Sequence, residues 1–166
     1  MQEFSYKLIE DGTYCVTGYK GDEAEVVIPA TFNVTVLFDK LFAGHKEITS
    51  VKIPDTVTDL GEFVFDGCEN LRHIELPEKL NCLWGFTFAR CGLEEITLPD
   101  NIKWLPSFVF KDCKNLKKVV CGKNMKEICS WAFAGCTSLE KVEHDENVKV
   151  SPEAYESVEL KPWQKS

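Results

Sequence analysis

Apolar positions along this chain recur in blocks and do not follow one helical or strand period. The motif F-x-x-C appears as Phe65–Cys68, Phe88–Cys91, Phe110–Cys113 and Phe133–Cys136, with cysteine spacings of 23, 22 and 23. An Ile/Leu-Pro step appears as Ile53-Pro54, Leu76-Pro77 and Leu98-Pro99, and Cys121-Gly122 continues it, again at 23, 22 and 23. Two separate markers hold one period, which is the signature of stacked structural repeats.

One block predicts one rung. From Leu71 the chain runs through Ile74, Leu76, Pro77, Leu80, Leu83, Phe86 and Phe88 to Cys91. Ile74 and Leu76 flank Glu75, the alternation of a strand with one face inward. Pro77 has no N–H for a ladder and ends that strand. Leu80 and Leu83 return inward, and Phe86–Cys91 is short enough only for a helical or 3₁₀ turn. The preceding rung runs from Ile48 through Val51, Ile53, Val57, Leu60, Phe63 and Phe65 to Cys68, and two more follow, Leu93 to Cys113 and Leu116 to Cys136. A weaker copy precedes them at Ile28-Pro29, Phe32 and Phe42–His45, and a decayed one follows at Leu139, Val142 and Val148. The rung after Cys91 is one residue short.

A single rung cannot fold alone. Its buried side chains contribute roughly 1.5–3 kcal/mol each, while ordering its backbone costs about 1–2 kcal/mol per residue. Stacking reverses the balance, because each rung then buries two faces, and it requires covered ends. Phe4, Tyr6 and Leu8, the turn at Asp11-Gly12, and Tyr14, Val16 and Tyr19 predict a β-hairpin that covers the first rung. The expected organisation is a capping hairpin over 1–26, a solenoid of about five to six rungs over 27–150, and a C-terminal cap or tail over 151–166, with Tyr155, Leu160 and Trp163 available to cover the last rung.

The pattern L-x-x-I-x-L-P-x-x-V-x-x-L-x-x-x-x-F-x-x-C, carried by roughly residues 26–150, resembles the BspA-like subclass of leucine-rich repeats. The hairpin around Asp11-Gly12-Thr13-Tyr14 resembles that subclass's usual opening. The resemblance implies a leucine-rich-repeat solenoid, a right-handed coil of parallel β-strands lining a concave face. It also implies a role in recognition, often by secreted or surface-attached bacterial proteins that contact host proteins or other cells. It brings no catalytic residues and no cofactor.

Composition narrows the partners. The chain has 166 residues, 44% of them hydrophobic and 28% charged, with a formal net charge of −8. An acidic chain disfavours nucleic acid and anionic membranes, since phosphate binding needs clustered Lys and Arg. Basic proteins, neutral glycans and small molecules stay open. The N-terminus shows no signal-peptide pattern and no segment reaches the length of a membrane span. On those grounds the chain is expected to be soluble and cytoplasmic as it stands, whereas the resemblance suggests secretion or a cell surface. A monomer is expected.

Candidate chemistry is sparse. Cys68, Cys91, Cys113 and Cys136 share one rung position and should stack at about strand spacing, near 4.8 Å. A line of thiols does not converge on a metal, and small buried residues explain the column better than disulfides. Cys15, Cys82, Cys121 and Cys129 share no register, so one could be exposed and reactive. His45 takes the cysteine position of the early rung, His144 the strand end of the decayed one, and His73 points outward on a strand. None stands with a nucleophile in a hydrolase motif. Asn33-Val34-Thr35 is a glycosylation sequon, without weight in a bacterial protein. Trp84 and Trp104, at one register in neighbouring rungs, are expected to pack against adjacent rungs or to stand partly exposed on the convex side.

The strand face is the serious candidate site. With Ile74 and Leu76 inward, two outward columns follow: Ser50, His73, Glu95, Lys118 and Lys141, and Lys52, Glu75, Thr97, Val120 and Glu143. A preformed surface of this kind loses little conformational entropy on binding. The expected function is non-enzymatic protein recognition on this face. A structural or self-assembling surface protein is the alternative, and an enzyme with an unfamiliar site the weaker one.

Overall fold

The computed structural model describes residues 1–158, and Leu160 and Trp163 lie outside them. The chain opens with β1 (Glu3–Leu8) and β2 (Tyr14–Lys20), followed by β3 (Glu25–Val27), β4 (Val34–Leu37), β5 (Ser50–Lys52), β6 (Asp59–Leu60) and β7 (Cys82–Leu83). It continues with β8 (Glu95–Thr97), β9 (Trp104–Leu105), β10 (Lys118–Val120), β11 (Glu127–Ile128), β12 (Lys141–Glu143) and β13 (Lys149–Val150). Each turn of the solenoid has three walls. The first holds β3, β5, β8, β10 and β12; the second holds β4, β6, β7, β9, β11 and β13; the third is built of turns. Apart from the antiparallel pair β1–β2, the strand pairs are parallel, as stacking of like rungs requires.

The core is one column per motif position. Val26, Val51, Ile96, Val119 and Val142 are buried under the first wall. Leu37, Leu60, Leu83, Leu105 and Ile128 are buried under the second. Phe42, Phe65, Phe88, Phe110 and Phe133 are fully buried and stack ring on ring, with centroids 5.4–5.6 Å apart. Tyr155 ends the stack on Phe133 and Tyr19 meets its other end at Phe42. The hairpin covers the first rung as expected: β2 pairs with β4, and Phe32 packs against Tyr6 and Tyr14. Leu8, read as part of the covering face, is instead exposed.

The third wall corrects the expected helical turn. Alternate N–H groups donate to the next rung: Phe63 to Gly85, Phe65 to Thr87 and Gly67 to Ala89. Those between them close single turns, Asp66 to Phe63 and Cys68 to Phe65. A helix would need every N–H for its own chain, so the two patterns exclude each other. Two left-handed positions in each of five rungs enforce this. Lys40, Phe63, Phe86, Phe108 and Trp131 have φ of 59–63°. Four residues later come Gly44, Gly67, Arg90, Asp112 and Gly135 at 52–79°. Left-handed residues interrupt a right-handed helix.

The ladders are not continuous. Pro106 follows β9 where Trp84 follows β7, and the Trp84 N–H bonds to Leu60 one rung back. Proline cannot repeat that bond, and β7 and β9 fall in separate sheets. The first wall is also split, into β3–β5 and β8–β10–β12. The segment His73–Leu76, predicted as a strand, makes no main-chain hydrogen bond among the described residues. Ile74 and Leu76, predicted inward, are only half-buried, whereas the equivalent Ile96 and Leu98 are 3% and 2% exposed.

The short turn lies beside this opening. Where other rungs have two residues between cysteine and leucine, Cys91 and Leu93 enclose only Gly92. Gly92 donates to the Cys68 carbonyl and its own carbonyl accepts from the Arg72 guanidinium. Glu94 still donates to Arg72, but no such bond ties Arg72 or His73 to Thr49. The segment therefore keeps a foothold on the following rung and leaves the preceding one.

Candidate functional site

The C-terminal part of the first wall forms the expected outward columns. Glu95, Lys118 and Lys141 are aligned by strand pairing, as are Thr97, Val120 and Glu143. The Glu143 carboxylate accepts from Lys141 at 3.2 Å and from Lys118 at 3.5 Å, and these contacts hold its pKa below the ordinary range. Lys118, Lys141 and Glu143 are thus paired within the chain.

The N-terminal part differs. Ser50 and Lys52 stand exposed on β5, but His73 and Glu75, though exposed, lie on the unpaired segment and extend neither column as strand residues. Between β5 and that segment lies a groove of about 780 Å³. Val26, Val51, Ile53, Ile74 and Leu76 form its apolar lining. Glu25, Asp55, Glu75 and Glu78 stand on its rim with Lys52, His73 and Lys79. Sequence reasoning missed Glu25, Asp55, Glu78 and Lys79, because their proximity depends on the wall being open; the missing residue before Leu93 was the available signal.

The cysteine column is structural. Cys68, Cys91, Cys113 and Cys136 are buried, and each thiol donates to a main-chain carbonyl of the preceding rung, at Phe42, Cys68, Phe88 and Phe110. All eight cysteines are free thiols. Cys15, allowed for as exposed, is buried, and Cys82, Cys121 and Cys129 are half-buried. Burial raises the pKa of all four, that of Cys121 to about 12, which disfavours the reactive thiolate. Among the described residues no three potential ligands form a metal cluster.

His45 takes the position that cysteine holds in later rungs. Its Nδ1 lies 2.6 Å from the Glu47 carboxylate, and this bond lowers the carboxyl pKa of Glu47. His144 Nδ1 lies 2.7 Å from the Asp145 carbonyl oxygen. Thr87, which sequence reasoning passed over, is fully buried and donates to the carbonyls of Trp84 and Gly61.

Trp84 and Trp104 are each 53% exposed, so packing between rungs does not account for them. They also occupy different columns: Leu83 and Leu105 are equivalent, and Trp84 follows its leucine while Trp104 precedes its own. The third wall carries a half-exposed stack, Phe63, Phe86, Phe108 and Trp131, with centroids 4.6–5.5 Å apart. Lys40 and Lys111 lie over its rings at Phe63 and Phe108.

A family model described as BspA type leucine-rich-repeat region, in six copies, matches residues 35–161. A leucine-rich-repeat protein of T. pallidum shares 33% identity over 84% of this chain and 67% of its own, with a TM-score of 0.79. A leucine-rich cell surface protein of Faecalibacterium prausnitzii shares 20% identity over 86% of this chain and 53% of its own, with a TM-score of 0.60. The pneumococcal vaccine antigen PcpA shares 20% identity over 91% of this chain and 41% of its own, with a TM-score of 0.72. The chain thus spans between two fifths and two thirds of these solved relatives. The last two share its fold. No curated protein matches the chain by sequence.

Proposed function

The chain belongs to the BspA-type leucine-rich-repeat family, and from that premise we propose that it is a non-enzymatic recognition module whose first-wall face binds a protein partner. The observation that carries this reading is the register. Glu95, Lys118 and Lys141 repeat at strand spacing on short, rigid strands, as do Thr97, Val120 and Glu143. A surface ordered before binding spends little entropy on contact, and mixed charge selects partners by complementarity. The proposed location is a bacterial cell surface, which the named location of the Faecalibacterium relative supports.

The test is affinity capture from host and bacterial extracts with the chain and with a variant carrying His73→Glu, Glu95→Lys and Lys118→Glu together. These side chains are outside the core, so folding should persist. A partner retained by the chain and lost by the variant is the expected result. A partner bound equally by both removes the face from consideration.

The exposed tryptophans favour a second reading, self-assembly through the other walls. Exposed aromatic patches mark contact surfaces. Light scattering distinguishes it: a mass that rises with concentration and returns to the monomer value in Trp84→Ser, Trp104→Ser is required.

A further inference from the structure

We propose that the groove between β5 and the His73–Leu76 segment is a docking site for an extended polypeptide, which adds to β5 as a strand and offers basic side chains to the rim. The proposal rests on the recognition reading above and narrows it to one place and one ligand chemistry.

The main-chain evidence comes first. β5 is the end strand of a two-stranded sheet, and an edge strand presents alternate N–H and C=O groups for pairing. The other edge of that sheet is already closed. The Gln2 side-chain amide donates to the Glu25 carbonyl and accepts from the Val27 N–H, as a neighbouring strand would. On the β5 side the place of the neighbour is vacated by His73–Leu76, whose own N–H and C=O groups, among the described residues, also make no main-chain bond. Two rows of unused peptide groups therefore border one groove.

Side chains specify the ligand further. Val51 and Ile53 are 7% exposed, and Ile74 and Leu76 beside them are half-buried, so alternate side chains of an added strand meet an apolar lining. The remaining side chains face the rim, where the carboxylates of Glu25, Asp55, Glu75 and Glu78 outnumber the ammonium groups of Lys52 and Lys79. Among the described residues none of these rim charges forms an ion pair within the chain, unlike Glu143 with its two lysines. They are available to a partner. A compact apolar molecule would leave the peptide edges unpaired, and a helix, whose peptide groups bond to one another, cannot supply the missing row. Strand addition satisfies both main chain and side chains.

The probe is an acetylated, amidated peptide alternating lysine and valine. It is titrated against the full chain by fluorescence, with amide hydrogen exchange read by residue. The expected result is saturable binding with slowed exchange at Val51 to Ile53. Methylating alternate peptide nitrogens should weaken binding about tenfold or more, since it removes donors and leaves side chains intact. Glu75→Lys with Glu78→Lys, both exposed, should weaken it comparably. Lys103→Glu with Lys126→Glu, exposed and outside the groove, should leave it unchanged. Absence of saturable binding, equal binding of the methylated peptide, or protection confined to other strands overturns the groove proposal. A captured natural partner that is lost in the His73, Glu95 and Lys118 variant, yet kept by the Glu75 and Glu78 variant and not displaced by the peptide, overturns the groove while the wider face stands.

Discussion

Gly92 lies so close to Glu69 that a Cβ on Gly92 would fall on the Glu69 carbonyl oxygen and within 2.7 Å of its carbon. The contact marks the one-residue-short turn, where the chain crosses directly over the rung beneath it. It also stands next to the opening of the first wall, so a local count of residues and a feature of the surface meet at one point.

Gly92→Ala should therefore destabilise the fold by about 1–3 kcal/mol, the range for forcing atoms into a packed site. Gly85→Ala is the control. A Cβ there meets only the Ser107 carbonyl oxygen, at 3.4 Å, so the change should stay within about 0.5 kcal/mol. Urea unfolding of both variants measures the difference.

The two aromatic stacks should respond unequally. Phe88 is fully buried between Phe65 and Phe110, and Phe88→Ala should cost about 3–5 kcal/mol. Phe86 is half-exposed in the outer stack, and Phe86→Ala should cost roughly 1 kcal/mol. Equal losses in denaturant titrations would contradict the inner stack as the main support.

Gln2 closes the outer edge of β3 with its side-chain amide, at 2.6 Å to the Glu25 carbonyl oxygen and 3.0 Å from the Val27 nitrogen. Gln2→Ala should lower stability by about 1 kcal/mol and speed exchange of the Val27 amide. Gln2→Glu keeps the acceptor and loses the donor, so Val27 should stay protected more than in the alanine variant. Exchange rates that do not move in either variant would show that the amide adds nothing to the edge.

Alkaline pH should weaken the fold through its thiols. Burial pushes the thiols of Cys91 and Cys121 up to about 12, from an ordinary value of 9.0. Between those values the unfolded chain releases protons that the folded chain keeps. The stabilising difference is whole below about pH 9 and is lost as pH rises towards 12, at up to about 1.4 kcal/mol per pH unit for each thiol. Urea midpoints under reductant should fall more steeply above pH 9 in the chain than in Cys91→Ala. Parallel slopes would argue against a protonated Cys91 in the folded state.

Much of this was legible because repeats convert sequence into geometry. The phenylalanine and cysteine columns needed only their period, since equal rungs stack equal positions. Thr87 was not legible: its hydroxyl partners, Trp84 and Gly61, lie in two rungs. The separate columns of Trp84 and Trp104 were not legible either, because register against Leu83 and Leu105 decides them, and a shift within a rung moves a side chain to a different face.

The period, the inward columns, the hairpin cover and the absence of a recognisable hydrolase motif follow from the sequence alone, because they depend on residue order and on the need of each rung for neighbours. The turn conformation, the split of the first wall and the groove were decided by tertiary structure. A peptide group can serve its own turn or the next rung but not both, and which one it serves depends on where the neighbouring rung lies. Leu76 has the same local sequence setting as Leu98 and is less buried, because its own segment does not pair as a strand with the rungs beside it.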